Sequence, residues 1–122
     1  HLNHDSFIYQ TVHSHYTHVL GNKTDPPHSV KVPADVGKYN VYGVEILPDK
    51  IVFSVNGDET LTYPRLSPGG LPSGSQYPFG SSFYILLDMQ IGGAWVGPPD
   101  ASDLPVEMHV DWIKVYALND HQ

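Results

Sequence analysis

Tyr39-Asn40-Val41-Tyr42-Gly43-Val44-Glu45-Ile46-Leu47-Pro48-Asp49-Lys50-Ile51-Val52-Phe53-Ser54-Val55-Asn56-Gly57 decides the fold. Residues 39–47 alternate apolar and polar positions, which gives a strand one buried and one wet face. Pro48-Asp49 sets a tight turn, because proline is already at the φ that the first central residue of a type I turn requires. Lys50 to Val55 is rich in β-branched residues and reads as the returning strand. Asn56-Gly57 then supplies two residues that tolerate positive φ, the requirement of a type I′ hairpin, and leads into a third strand from Glu59 to Tyr63. Two consecutive hairpins make an antiparallel meander.

Working outward, Phe7 to Tyr16 combines aromatic and β-branched residues with partial alternation and is predicted as a strand, with Thr11, His13 and His15 on one face. From Thr17 to Lys38 the apolar periodicity fades, and the segment reads as a long surface loop or edge connection. Asp25-Pro26-Pro27 is excluded from any central strand. Ser67 to Ser82, with Pro68-Gly69-Gly70, Pro72 and Gly74, reads as a loop. Phe83-Tyr84-Ile85-Leu86-Leu87-Asp88-Met89-Gln90-Ile91 is apolar enough for a central strand whose polar end reaches a functional face. Gly92-Gly93 ends it. Met108 to Tyr116 is predicted as the last strand, with both faces largely covered. The sum is about six strands without sustained helical periodicity, an all-β antiparallel sandwich.

Composition narrows the function classes. A hydrophobic content of 40% supports a core, and the 11 Gly and 11 Pro are dispersed between short apolar runs, as strands joined by turns require. With 6 Lys+Arg against 13 Asp+Glu the formal charge is -7, so there is no basic stripe to neutralise nucleic-acid phosphates. The absence of Cys removes disulfides and thiolate zinc sites without fixing the compartment. No stretch approaches the roughly 20 apolar residues of a membrane helix. The chain opens on His1 with no leader pattern, which reads as a processed or cut product.

Five segments in order then carry a resemblance: Val41-Tyr42-Gly43-Val44-Glu45; Pro48 to Gly57; Tyr77-Pro78-Phe79 with Phe83 to Leu87; Gly92-Gly93-Ala94-Trp95-Val96-Gly97; and Met108-His109-Val110-Asp111-Trp112-Ile113-Lys114-Val115-Tyr116. Together they resemble the C-terminal half of the laminarinase-like enzymes of glycoside hydrolase family 16. The resemblance implies a concanavalin A-like jelly roll, of which residues 1–122 would be the C-terminal part of a single domain. It also implies a retaining endo-β-glycosidase acting on a β-1,3-glucan-like or galactose-containing polysaccharide or glycan. The protein would be secreted, periplasmic or on the cell surface. The family's reaction centre is a Glu-x-Asp-x-x-Glu strand, and this sequence contains no such motif. The implied nucleophile and acid/base therefore lie on a companion N-terminal segment, and no catalytic residue is expected in this chain.

What the resemblance leaves to this chain is cleft wall. His13 matches a family histidine beside the catalytic strand, either hydrogen-bonding the nucleophile or a sugar hydroxyl, or serving as a satisfied structural histidine. Trp95 matches an aromatic near the cleft that stacks on a sugar ring or anchors its loop. Asp88 and Gln90 share a side of their strand, with Gln90 facing the cleft if Asp88 does; the alternative for Asp88 is a buried, hydrogen-bonded carboxylate. Ile46, where the family commonly has Trp, and Asp88-Met89-Gln90 depart from the ordinary laminarinases and point toward galactose-containing glycans. No cofactor is implied for catalysis, but a structural calcium at Asp111 is, its other oxygens coming from upstream.

Other readings remain open. The same sandwich without its carboxylates is a carbohydrate-binding module, and fold does not decide between the two. A zinc or copper site on His13, His15 and His18 has the right donor type but no placed fourth ligand. Asn22-Lys23-Thr24 is a formal glycosylation sequon in the predicted loop. Ser14 and Ser54 lack any elbow motif that would make them nucleophiles.

Overall fold

A computed structural model describes residues 6–66 and 75–119. It divides into two compact units, Asn3–Phe83 and Tyr84–Gln122. The first unit holds all the strands found among the described residues: β1 Phe7–Thr11, β2 Ser29–Pro33, β3 Tyr42–Ile46, β4 Lys50–Val55 and β5 Asp58–Pro64, with one helical turn, α1 His15–His18. β1 and β2 form a two-stranded antiparallel sheet, and β3-β4-β5 form a three-stranded antiparallel sheet. The fold is all-β and antiparallel, the class read from the sequence.

The meander is as expected. Asn56 and Gly57 have φ of 52° and 86°, the left-handed pair that turns β4 into β5. Between Phe53 and Ser54 the β4–β5 register shifts: Phe53 opposes Leu61 while Ser54 opposes Glu59, which leaves Thr60 as the extra residue of a bulge. Gln10 of β1 meets this bulge. Its side-chain amide donates to the Ser54 carbonyl at 3.0 Å, and its amide oxygen accepts the Thr60 hydroxyl. Gln10 is only 8% exposed, so the pairing satisfies a buried amide and binds the two sheets together.

The core of this unit is Val12, Ile51, Tyr63 and Tyr77, with Phe53 and Phe79 packed against it. Tyr77 and Phe79 meet edge to face with ring centres 5.0 Å apart, and the Tyr77 hydroxyl donates to the Leu47 carbonyl at 2.6 Å. Gln76 secures the same stretch, accepting from Leu66 N–H and donating to the Pro64 carbonyl, both at 2.9 Å.

Three sequence expectations are corrected. The first strand stops at Thr11, well short of Tyr16, because Ser14 caps a helical turn: its hydroxyl accepts from Thr17 N–H at 3.3 Å, and Thr17 Oγ1 accepts from Ser14 N–H at 3.0 Å. The predicted loop of residues 17–38 contains β2, whose Val30 and Val32 flank Lys31 and pair with Gln10 and Ile8. Phe83–Ile91, which begins on the last residue of the first unit, and Met108–Tyr116 in the second unit form no strand among the described residues, although their composition calls for one. Tyr84, Leu86, Val110 and Trp112 are all exposed there, so Met108–Tyr116 has no covered faces. A strand exists only through hydrogen bonds to a neighbour, and among the described residues no ladder includes either segment. Of the predicted loop 67–82, residues 67–74 lie outside the described residues and 75–82 carry no strand.

Replacing Gln10 by Ala removes both side-chain bonds at the bulge. The expected loss is about 1–3 kcal/mol in chemical denaturation of the intact protein, against less than about 0.5 kcal/mol for exposed Gln90→Ala. Equal effects from the two substitutions would show that Gln10 does not join the sheets.

Candidate functional site

Alternation along β1 turns Gln10 and Val12 inward, at 8% and 3% exposure, and leaves His13 at the surface just beyond the strand's end. The next register position across the sheet from Thr11–Ser29 brings residue 28 opposite residue 12. His28 holds Val12 by both backbone groups. Val12 N–H donates to the His28 carbonyl at 2.7 Å, and His28 Nδ1 lies 2.9 Å from the Val12 carbonyl. A carbonyl only accepts, so Nδ1 carries the proton and Nε2 of the neutral ring is bare.

The His13 ring stands between two others, edge to face, with centres 6.2 Å from His28 and 6.4 Å from His18. Burial pushes the His13 pKa below its ordinary 6.5, and His28, His18 and Lys23 push it the same way in that order. The result is a cluster of three histidines at the end of β1. His18 arrives there because the Ser14 cap converts residues 15–18 into a helical turn, and His28 because the chain returns through β2. The sequence reading named His18 only as a metal-ligand candidate and did not find His28. A search for histidines sharing a strand face selects His15, which lies on α1 and makes no ring contact with His13 among those described.

The other expected site residues lie in the second unit. Gln90 Nε2 donates to Asp88 Oδ2 at 2.8 Å, so the two side chains share a side as read. Both are exposed, which removes the alternative of Asp88 as a buried carboxylate. Trp95 sits on a turn closed by Gly97 N–H donating to the Gly93 carbonyl at 2.8 Å, and the residue is 72% exposed. Gly92, Gly93 and Gly97 have φ of 74°, 142° and 77°, a path that side-chain-bearing residues resist. Asp111 is exposed. Calcium requires six to eight oxygens, and among the described residues no group of three or more His, Asp or Glu is placed to hold a metal ion, so a calcium at Asp111 would need its other oxygens from elsewhere. The same observation removes the zinc or copper reading of His13, His15 and His18.

Among the described residues no helix is long and apolar enough to cross a membrane. No family model matches the chain. Three curated proteins show its relationships. It is 35% identical over 119 residues, 97% of the chain, to the keratan-sulfate endo-1,4-beta-galactosidase of Sphingobacterium multivorum, covering 27% of that protein. It is 30% identical over 116 residues, 89% of the chain, to a beta-glucanase of Rhodothermus marinus, covering 39% of it. It is 33% identical over 82 residues, 64% of the chain, to glucan endo-1,3-beta-glucosidase A1 of Niallia circulans, covering 12% of it. The chain thus spans well under half the length of these relatives, and the resemblance read from residues 39–116 is borne out across nearly all of it.

The lowered pKa of His13 has a signed consequence. Below pH 6.5 the unfolded chain protonates this histidine more readily than the folded one, so its contribution to stability is complete above pH 6.5 and declines as pH falls toward the folded value. His13→Gln should flatten the acid limb of the stability profile and leave the neutral region unchanged. A profile parallel to wild type from neutral pH to pH 5 would refute the assignment.

Proposed function

We propose that this chain, which resembles the laminarinase-like enzymes of glycoside hydrolase family 16, is the C-terminal part of a single jelly-roll domain of an endo-acting, retaining β-glycosidase. The observation that carries this reading is the 35% identity with an endo-1,4-beta-galactosidase along 97% of the chain, supported by glucanases with other linkages. Galactose-containing glycans are preferred over glucans as substrate because the galactosidase aligns at the higher identity and over the larger share of the chain. A polymeric substrate requires a secreted, periplasmic or surface-exposed enzyme.

Retention requires two carboxyl groups about 5–5.5 Å apart, one ionised to attack the anomeric carbon and one protonated to release the leaving oxygen. Glu45, Glu59 and Glu107 are the only glutamates here and do not form the motif, so both groups would come from a companion segment. This chain would bind and orient the glycan. His13, held at a defined place by the inward anchors Gln10 and Val12, would hydrogen-bond the nucleophile or a sugar hydroxyl. Trp95 would offer its indole face to the apolar face of a pyranose. The Gln90–Asp88 pair presents an amide and a carboxylate to ring hydroxyls. A structural calcium at Asp111 would take its remaining oxygens from the companion segment. The second reading is a non-catalytic binding module of the same fold.

The intact protein is expected to shorten at least one of laminarin, mixed-linkage glucan, galactan, keratan-type or mucin-type glycans, with the first-formed anomer retained by NMR. Binding to these glycans with no oligosaccharide released would establish the module instead. His13→Ala should lower kcat on the order of tenfold to a hundredfold, as for a lost positioning contact. Its Tm should stay within about 2 °C because the ring is at the surface. A lowered Tm with unchanged specific activity would return His13 to a structural role.

A further inference from the structure

The β1–β2 ladder ends at the pair Thr11–Ser29, two residues short of His13. Past that point the direction of the His13 side chain depends on the peptide plane joining Val12 to His13, because rotating that plane through ψ of Val12 and φ of His13 swings the Cα–Cβ bond. The carbonyl of this peptide is that of Val12, and His28 Nδ1 meets it at 2.9 Å. Val12 N–H, on the preceding peptide, donates to the His28 carbonyl at 2.7 Å. One residue thus grips two consecutive peptides, and the second of them is the mount of His13.

His28 is itself fixed. Its N–H donates to the Lys23 carbonyl at 3.1 Å, closing a tight return in which Thr24 and Pro27 face each other as an antiparallel bridge. The Tyr16 hydroxyl donates to the Asp25 carbonyl at 3.3 Å and ties this return to α1. A half-buried ring on so restrained a backbone has little freedom left to lose when it donates, which suits it to hold a backbone group in place. His18 has no such grip. Its ring stands edge to face with His13 at 6.4 Å, and among the described hydrogen bonds none joins His18 to Val12 or His13.

We infer that His28 is the positioning residue of His13: through the Val12 carbonyl its ring holds the peptide that aims His13 at the substrate. The grip on the peptide belongs to this chain alone; its service to catalysis rests on the proposed function. Two substitutions separate the donor from the ring. Asn carries an amide N–H at the place of Nδ1, one bond beyond Cγ, and makes the same bond to the carbonyl, whereas Phe fills the place of the ring and donates nothing.

Kinetics of the intact protein on the glycan it cleaves test the catalytic part. His28→Phe is expected to lower kcat about tenfold, and His28→Asn to recover most of that loss. In a His13→Ala background His28→Phe should lower kcat by less than about twofold, because a residue that acts through His13 then has nothing to position. Equal losses in His28→Phe and His28→Asn, or an undiminished loss without His13, overturns the positioning role. Two NMR measurements need no turnover. The neutral His28 ring of the wild type is expected to carry its proton on Nδ1, and a proton on Nε2 overturns the grip whether or not any variant folds. The His13 HN–Hα coupling, which reports φ, should shift in His28→Phe and return in His28→Asn; an unchanged coupling in His28→Phe also overturns it. Should the wild type cleave no glycan, the hydrolase reading falls and the catalytic role with it, while tautomer and coupling still decide the grip. Cleavage by His28→Phe at the wild-type rate sinks the positioning role and leaves the hydrolase reading standing.

Discussion

One buried amide governs where everything in the first unit sits. A β-bulge leaves a residue outside the ladder and a carbonyl in need of a partner, and here Gln10 meets both, through the Ser54 carbonyl and the Thr60 hydroxyl. Satisfying the bulge from a different sheet converts an irregularity into a joint. The register of β1 follows from it: with Gln10 inward, Val12 enters the core two residues later, and His13 is left at the surface. A slip of one residue would send His13 into the core and Val12 to water. The placement of a functional candidate is therefore a consequence of a polar contact some way from it.

How much of this was legible depends on the range of the interactions involved. The β3-β4-β5 meander could be read because its determinants are local: alternation, Pro48-Asp49, and the positive-φ pair Asn56-Gly57. The end of β1 was misread because Ser14 and Thr17 offer a capping box inside an apparently continuous aromatic run, and a cap overrides β propensity over so short a segment. β2 was missed because its Val30-Lys31-Val32 is brief and follows two prolines, so its strand character rests on pairing with β1. The second unit makes the converse point. Phe83–Ile91 and Met108–Tyr116 have every local mark of strands, yet propensity describes fit to a neighbour and cannot supply one.

The site divides along the same line. His13 was found by resemblance, His18 was named beside it only as a metal-ligand candidate, and His28 was not found at all. His28 lies fifteen residues further on and is brought to it by antiparallel pairing, with Val12 N–H bonded to the His28 carbonyl and His28 Nδ1–H bonded back to the Val12 carbonyl. A pairing of this kind leaves no trace in residue spacing. Asp88 and Gln90, at i and i+2, were legible because their contact is local, and the same is true of the glycine-framed turn that presents Trp95.

The histidine cluster also shows why a net charge is a poor guide to a local surface. The formal charge of -7 is a sum over the whole chain. It says nothing about a place where His13, His18 and His28 stand close together, because imidazoles enter the formal sum as zero. His28 is held at the end of β1 by both Val12 backbone groups, so the place of the cluster is set by the antiparallel return of the chain and not by charge.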